Sequence, residues 1–239
     1  AENIAAKWSI AREAQDQFAL ESHRRAISAI RNGYFTSQIL PIDVTTRGKV
    51  VVFDTDEHPR DNVDLEKLSK LPSIFQENGT VTAGNASGIN DGAAAVVLCN
   101  ATIAESEHLQ PIARLVAYGH AGVDPKYMGM GPIPAVQQAL RRACLTLEDI
   151  DIIESNEAFA VQACAVAREL GFDPSRTNPN GGAVAFGHPI GATGCILTIR
   201  AIYELHRIKG RYALVTMCIG GGQGIAAIFE RLPSFELLN

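Results

Sequence analysis

The sequence predicts a layered α/β fold. Of its 239 residues, 46% are hydrophobic and 20% are charged, which is the composition of an ordinary chain with a packed core. From residue 93 onward, strand-like and helix-like segments alternate, and two glycine-rich stretches interrupt the alternation. Alternation of this kind is typical of helices packed on the faces of a sheet. At about 100 to 200 residues per domain, the length fits one large domain or two small ones.

The first 92 residues predict a helix followed by an irregular region. Residues 9–31 carry apolar groups at helical spacing and end at Asn32-Gly33, a typical C-terminal cap. Two short β-like runs follow, at residues 39–44 and 49–53, among turn residues. We therefore expect this part to lie outside the regular alternation.

The regular alternation begins with residues 93–98, a continuous run of small and branched residues of the kind that sits in the middle of a buried sheet. A short helix is expected from there to His108. Further strands are predicted at residues 112–118, 151–155, 212–217 and 225–230. Further helices are predicted at residues 133–144, 158–170 and 195–208, the second of them closed by Gly171.

The overall charge and the cysteines exclude several classes of protein. The net charge is −5, from 21 basic and 26 acidic residues, which argues against a basic nucleic-acid-binding protein. No apolar run approaches the ~20 residues of a membrane-spanning helix, so no membrane partner is expected. The five cysteines are an odd set, and the sequence shows no secretory signal. We therefore expect no disulfide framework and a cytoplasmic protein.

The first glycine-rich stretch, residues 178–194, holds His188 between Gly187 and Pro189. Glycine allows close backbone approach, proline fixes the backbone after the histidine, and the following helix points its N-terminal amides at the loop. These features indicate a rigidly mounted catalytic histidine. The alternative is a capping or core histidine in a turn. The other five histidines have no such context and are expected to be solvated.

The second stretch places Cys218 at the end of a predicted strand, directly before the glycines of residues 220–224. Open α/β sheets bind ligands at this edge. A free thiol has a pKa of about 8.5 and needs a nearby activating group. The alternative is a small buried hydrophobic residue, which is what we expect for Cys99, Cys144, Cys164 and Cys195.

The same stretches do not match other common sites. No Cys-x-x-Cys pair is present, which argues against zinc, and we expect no metal. The glycine clusters lack the Gly-Lys-Ser/Thr of a P-loop, and residues 220–224 precede a strand rather than the helix of a dinucleotide-binding motif. A third element, the turn with Asn156 and Glu157, is by itself an ordinary helix N-cap with a first-turn carboxylate.

Four long motifs stand in order along the chain. They are residues 80–93 (TVTAGNASGINDGA), 156–160 (NEAFA), 178–194 with its central Gly-His-Pro, and 218–224 (CIGGGQG). Together they resemble the thiolase family, and most closely its short-chain biosynthetic type, the acetyl-CoA acetyltransferases and β-ketothiolases. The resemblance runs from Ala1 to about Arg231, and residues 232–239 have no counterpart in it.

The resemblance implies a thiolase-like layered α-β-α-β-α fold with mixed sheets. Residues 1–92 would be the remainder of a CoA-binding loop domain, and residues 93–109 the last strand and helix of an N-terminal core domain. Residues 110–231 would form the complete C-terminal thiolase domain, and residues 232–239 an unmatched tail.

The resemblance also implies a reaction, the reversible Claisen condensation of two acyl-CoA thioesters to a 3-ketoacyl-CoA and free CoA. That reaction needs a base and donors that stabilise an enolate. Cys218 matches the family's base, and His188 the residue that activates the acyl-accepting thiol and contributes to an oxyanion hole. Asn156 would position a water in that hole, and the Gly220 N–H would serve a second one.

Coenzyme A would be a substrate, and no tightly bound cofactor is implied. Arg60 and Ser87 match the residues that contact the adenine and pantetheine parts of CoA. Without the resemblance, Arg60 would be a solvated loop cation among Asp54, Asp56 and Glu57. The pocket wall would be formed by Phe75, Ala83, Met128, Ala158 and Phe159.

One part of the family pattern has no match. Thiolases also require a nucleophilic cysteine in the first α/β half, and none of the five cysteines matches its motif. We hypothesise that the chain, which begins at Ala1 without an initiator Met, is a fragment or one of two complementing polypeptides, partnered by an N-terminal thiolase segment. Family members are dimers or tetramers, so a homo-oligomer is expected.

Two other functions stay open. One is a catalytically incomplete module that binds acyl-CoA or acts as a scaffold. The other, a ketoacyl synthase, is less favoured because those enzymes use a second histidine where Cys218 stands. The sequence does not set the acyl chain length or the direction of the reaction.

Overall fold

The structure is a computed structural model that describes residues 1–232. Its centre is a four-stranded mixed sheet in the order β3-β6-β5-β4, in which β4 and β5 are parallel and the other neighbours are antiparallel. The strands are β3 (Ala113–Gly122), β4 (Ile152–Ser155), β5 (Tyr212–Ile219) and β6 (Gln223–Arg231).

Helices cover both faces of this sheet. One face packs against α1 (Glu2–Trp8), α5 (Pro132–Ala143) and α6 (Ala160–Leu170), around a core that includes Ile153, Val161 and Leu214. The other face packs against α8 (Thr193–Ile208) through residues such as Leu197 and Val215. The predicted layered α/β fold is therefore confirmed, with one complete helix-sheet-helix sandwich among the described residues.

The predicted elements of this sandwich occur close to their expected places. Each strand and helix begins or ends within a few residues of its predicted bounds, and Gly171 ends α6 in the left-handed conformation with φ 71°. The largest shifts are the extension of β3 to Gly122 and of β5 to Ile219, so that Cys218 lies within a strand. Helix α8 begins at Thr193, two residues before the predicted start.

The N-terminal region contains α1, α2 (Arg12–Arg31), a hairpin of β1 (Ile42–Thr46) and β2 (Lys49–Phe53), and α3 (Leu65–Ser69). The single helix predicted from residue 9 begins later, because Ser9 adopts φ 51° and separates it from α1. The first hairpin strand begins three residues later than predicted, and all ten hairpin residues are exposed.

The strand predicted at residues 93–98 is wrong for the described chain. These residues form no strand, and Val97 and Leu98 are 96% and 80% exposed. A strand requires neighbours for its backbone N–H and C=O groups, and no described segment pairs with this one. The helix that follows, α4 (Ala101–Ser106), does form, and Asn100 caps it by accepting a hydrogen bond from the Ile103 N–H at 2.8 Å.

Some expectations about single residues are also corrected. Cys99 and Cys144 are exposed rather than buried, and His23 is buried rather than solvated. Residues 233–239, most of the expected tail, lie outside the described residues, whereas the Leu232 N–H donates to the Ile112 carbonyl at 3.0 Å. Within residues 1–232, no helix is long and apolar enough to cross a membrane. The short helix α7 (Ala183–Phe186) lies in the first glycine-rich stretch.

Candidate active site

Asn156 follows β4 directly and is held by the neighbouring strand. Its backbone N–H donates to the Thr216 carbonyl of β5 at 2.9 Å, and its side chain is buried. Helix α6 begins later, with Phe159 at its N-cap and no side-chain cap. The interpretation of Asn156 as an ordinary cap is therefore wrong, and its side chain is available to the glycine-rich loop.

His188 contacts Asn156 through one ring nitrogen and Thr193 through the other. The Thr193 hydroxyl donates to the Pro189 carbonyl at 3.0 Å, so its oxygen accepts from His188 Nδ1–H at 2.6 Å. Nε2 is then the unprotonated ring nitrogen, and its lone pair accepts a hydrogen bond from Asn156 Nδ2 at 3.3 Å. Burial lowers the pKa of His188. The imidazole is therefore neutral at pH 7, with Nε2 available as a base.

The loop around His188 depends on a glycine at position 187. Gly187 has φ 91°, a conformation that L side chains rarely adopt, and a Cβ there would overlap the Asn90 amide. One residue later, the His188 N–H donates to the Gly88 carbonyl at 3.0 Å. The loop is thus fixed against the segment that contains Ser87.

One polar atom beside His188 has no partner. Asn156 Oδ1 is buried and accepts no hydrogen bond from any described residue. Buried amide oxygens in proteins are usually satisfied. This atom is therefore an acceptor available to a water or a bound molecule next to the histidine.

Cys218 lies at the same edge of the sheet. It is in β5, two residues after the Thr216 that binds Asn156, and pairs with Gly224 of β6. Burial raises the pKa of the Cys218 thiol to about 11, so the thiol is protonated at rest. Gly220 follows in the exposed turn, where a Cβ would meet nothing within 4 Å. No hydrogen bond joins Cys218 to His188 within the described residues.

Four of the residues expected at CoA form one cluster near His188. The Ser87 N–H donates to the Ala158 carbonyl at 3.1 Å. Phe159 pairs with Ala86 in an isolated bridge, and the Phe75 ring meets the Phe159 ring edge-on at 6.0 Å. Of the other three, Ala83 and Met128 are less closely tied. Ala83 is exposed in the same loop as Ser87, and Met128 is half-buried in the turn Pro125–Met130 before α5.

Arg60 borders a separate open cavity of about 490 Å³ next to helix α2. Its backbone N–H donates to His23 Nδ1 at 3.1 Å, and its guanidinium forms no ion pair with a described acidic residue. Arg24 and Arg31 line the same cavity. These two arginines, with His23, were missed by the sequence reasoning, although they recur along one face of α2 at helical spacing.

Thr193 and Glu157 were also missed as functional residues. Thr193 fixes the tautomer of His188, and Glu157 is a buried carboxylate beside Asn156. For Thr193, the one signal in the sequence was its position five residues after His188 at the start of a predicted helix. Among residues 1–232 there is no group of three or more His, Cys, Asp or Glu side chains that could hold a metal ion.

Two family descriptions match nearly the whole chain. The thiolase N-terminal domain matches residues 1–102, and the thiolase C-terminal domain matches residues 109–231. The chain belongs to the thiolase family. Among individual relatives, it is 60% identical to the beta-ketothiolase BktB of Cupriavidus necator over 233 residues, and 51% identical to an acetyl-CoA acetyltransferase of Escherichia coli over 232 residues.

Solved thiolase structures agree with the fold. A Bacillus anthracis acetyl-CoA acetyltransferase matches with a TM-score of 0.94 and 48% identity, over 97% of this chain and 59% of that one. Human mitochondrial 3-ketoacyl-CoA thiolase in complex with CoA matches with a TM-score of 0.90 and 45% identity, over 97% of this chain and 57% of that one. The matches to the two curated thiolases likewise cover 97% of this chain but only 59% of each relative.

Proposed function

We propose that this chain is the part of an acyl-CoA C-acyltransferase that binds CoA and carries the base and oxyanion-hole residues of a reversible Claisen condensation. The observation that supports this most is the neutral His188, whose Nε2 faces Asn156 at the sheet edge where Cys218 lies. The arrangement supplies a base, an amide and a thiol together, as the reaction requires.

In the condensation direction, Cys218 first gives its resting proton to the CoA thiolate that leaves when the nucleophilic cysteine is acylated, and then, as thiolate, removes a proton from the carbon next to an acetyl-CoA carbonyl. The carbanion attacks the carbonyl carbon of the acyl group on the nucleophilic cysteine, so that a carbon–carbon bond forms and the cysteine leaves as thiolate. In the reverse direction, the resting thiol returns that proton. A pKa of about 11 suits this proton donor. His188 Nε2 accepts the proton of the CoA thiol, and as an N–H it then donates to the thioester oxygen. Asn156 holds a water molecule, which is the second hydrogen-bond donor to this oxygen.

The backbone N–H of Gly220 is assigned to the other oxyanion hole, which stabilises the carbonyl oxygen of the acyl group. Loss of one such donor typically lowers the rate by about 10²- to 10³-fold. The absence of a side chain at Gly220 leaves this position open to a substrate carbonyl.

CoA is proposed to extend from this edge to the cavity next to helix α2 that Arg60 borders. The pantetheine part would run along Ser87, Ala158 and Phe159, with Phe75, Ala83 and Met128 as further wall. The nucleotide end would lie at Arg60, in a cavity that Arg24 and Arg31 also line. Arg24 is paired with Glu21 at 2.6 Å and Arg31 with Asp61 at 3.4 Å, so Arg60 is the proposed contact for the phosphates.

The remaining part of a complete thiolase is proposed to supply the acylated cysteine, in the same or a companion polypeptide. The chain spans 59% of its curated relatives, and the apolar residues 93–98 are exposed without a sheet. Residues 93–109 would join that part, with residues 1–92 as loop domain and 110–231 as C-terminal domain. Homo-oligomerisation and a cytoplasmic location stay predictions.

A second candidate is a module that binds acyl-CoA without turnover. It is favoured by the cysteines, because only Cys218 lies at the candidate site. Cys99 and Cys144 are exposed, and no hydrogen bond among the described residues joins Cys164 or Cys195 to His188 or Asn156.

Calorimetry of the purified chain with CoA, together with a thiolysis assay on acetoacetyl-CoA, tests both functions. We expect CoA binding by the chain, and turnover only when the missing part of a thiolase is present. Turnover should be lost in Cys218→Ala and His188→Ala. Binding without any turnover in the completed protein would favour the second candidate, and turnover by a lone 25.6 kDa species would refute the companion segment.

A further inference from the structure

Glu157, the residue after Asn156, joins three distant segments. Its carboxylate accepts hydrogen bonds from Ser22 Oγ at 2.6 Å, Asn178 Nδ2 at 2.9 Å and the Val184 N–H at 3.2 Å. The side chain is 2% exposed. These partners lie in α2, at the start of the glycine-rich stretch and in α7, so one buried group contacts three elements.

Each of these segments carries part of the proposed site. Ser22 precedes His23, which borders the same cavity as Arg60. Val184 is four residues before His188. Asn178 also holds the end of β4, because its side chain accepts from the Ser155 N–H at 2.9 Å and donates to the Ser155 carbonyl at 2.8 Å.

Burial raises the pKa of Glu157, but its hydrogen-bond partners oppose the rise and favour the ionised carboxylate. All three partners are donors, and a carboxylate is an acceptor only. Ser22 is itself oriented, since its oxygen accepts from the Gly182 N–H at 3.1 Å while its proton goes to Glu157. A Cβ at Gly182 would overlap the Glu157 carboxylate. The loop is thus shaped around this group.

We propose that Glu157 is a positioning residue, which sets the placement of His188 relative to Asn156 and joins both to the CoA-binding helix α2. The proposal rests on the proposed function, because that function gives His188 and α2 their roles. Its geometric content, that the Glu157 carboxylate controls the environment of His188, can be tested without CoA.

Glu154, in strand β4 three residues before Glu157, offers a matched control. It is 1% exposed, and neither of its carboxylate oxygens has a hydrogen-bond partner in the described residues. Burial raises the pKa of Glu154 to about 8, so at pH 7 it is a neutral acid that glutamine imitates. In contrast, glutamine at position 157 places an NH₂ group where one carboxylate oxygen accepts hydrogen bonds, so that donors face donors.

The experiment compares the full chain with its E157Q, E154Q and S22A variants. Long-range ¹H–¹⁵N NMR reports which His188 nitrogen is protonated and its titration midpoint, and calorimetry reports CoA affinity. For E157Q we expect a His188 midpoint shifted by about half a pH unit or more, and CoA binding weakened about 10-fold, the effect of one lost charge-assisted hydrogen bond. S22A should shift both in the same direction by less, and E154Q should change neither.

Unchanged His188 signals in E157Q would overturn the proposal, even if the variant melts at a lower temperature. If E157Q does not fold, S22A decides, because it keeps the carboxylate and removes one donor; unaltered His188 signals there would also refute it. If the unsubstituted chain binds no CoA, the proposed function fails, while the NMR comparison still decides whether Glu157 controls the environment of His188.

Discussion

Replacing Thr193 by valine removes the hydroxyl that fixes the His188 tautomer and keeps the shape of the side chain. Two hydrogen bonds are lost, one from His188 Nδ1 at 2.6 Å and one to the Pro189 carbonyl at 3.0 Å. Thr198→Val is the matched control, because Thr198 on the same helix makes only the second kind of bond, to the Gly194 carbonyl at 2.8 Å. The difference between the two variants isolates the histidine contact.

A buried N–H that loses its acceptor costs about 1 to 3 kcal/mol, which corresponds to roughly 5- to 150-fold in an equilibrium. We expect the tautomer with the proton on Nδ1 to lose that factor in Thr193→Val and to stay dominant in Thr198→Val. Long-range ¹H–¹⁵N NMR measures the tautomer directly. A tautomer ratio in Thr193→Val equal to that of the unsubstituted chain would show that the threonine does not orient His188.

Three further outcomes are expected. In the completed enzyme, Cys218→Ala should abolish condensation and spare acylation of the nucleophilic cysteine; condensation at a near wild-type rate would exclude Cys218 as the base. Between pH 4.5 and 8 the folded chain keeps the Glu154 proton that the unfolded chain loses, so the free energy of unfolding should fall as the pH rises. Urea titrations should show a smaller fall for Glu154→Gln. An equal dependence of the unfolding free energy on pH in both proteins would contradict the buried proton. Val97→Asp should leave the melting temperature unchanged, because Val97 is 96% exposed, but it should prevent a co-expressed N-terminal thiolase segment from co-purifying with the chain. Val50→Asp on the exposed hairpin is the control. Equal co-purification with both variants would argue against docking at residues 93–98.

Local sequence signals singled out the candidate catalytic residues because each stands in a distinctive backbone context. His188 follows a glycine whose φ is 91°, and Cys218 is the next-to-last residue of a strand that leads into a glycine turn. Hydrophobic periodicity likewise located the strands and helices of the sandwich. In each case the information lies within about ten residues of the feature.

The sequence failed where partners are far apart along the chain. Ser22 and Glu157 are 135 residues apart, and no local sequence pattern predicts their contact. Residues 93–98 show the opposite failure. Their composition predicts a buried strand, but strand formation depends on neighbouring strands, and no described segment provides them. Helix α2 was predicted too long because a left-handed Ser9 was not recognisable from its neighbours.

The two buried glutamates that flank Asn156 have opposite roles because of their hydrogen-bond partners. Arg200 is buried beneath them, with its guanidinium 4.0 Å from the centre of the Phe186 ring, and it interacts electrostatically with both. One buried cation offsets one buried anion, so two ionised carboxylates would leave an uncompensated charge. Burial raises the pKa of both carboxyls, but Glu157 has three donors that oppose the rise, whereas Glu154 has none. The proton therefore belongs on Glu154, and the negative charge lies on the carboxylate that joins α2 to the His188 loop.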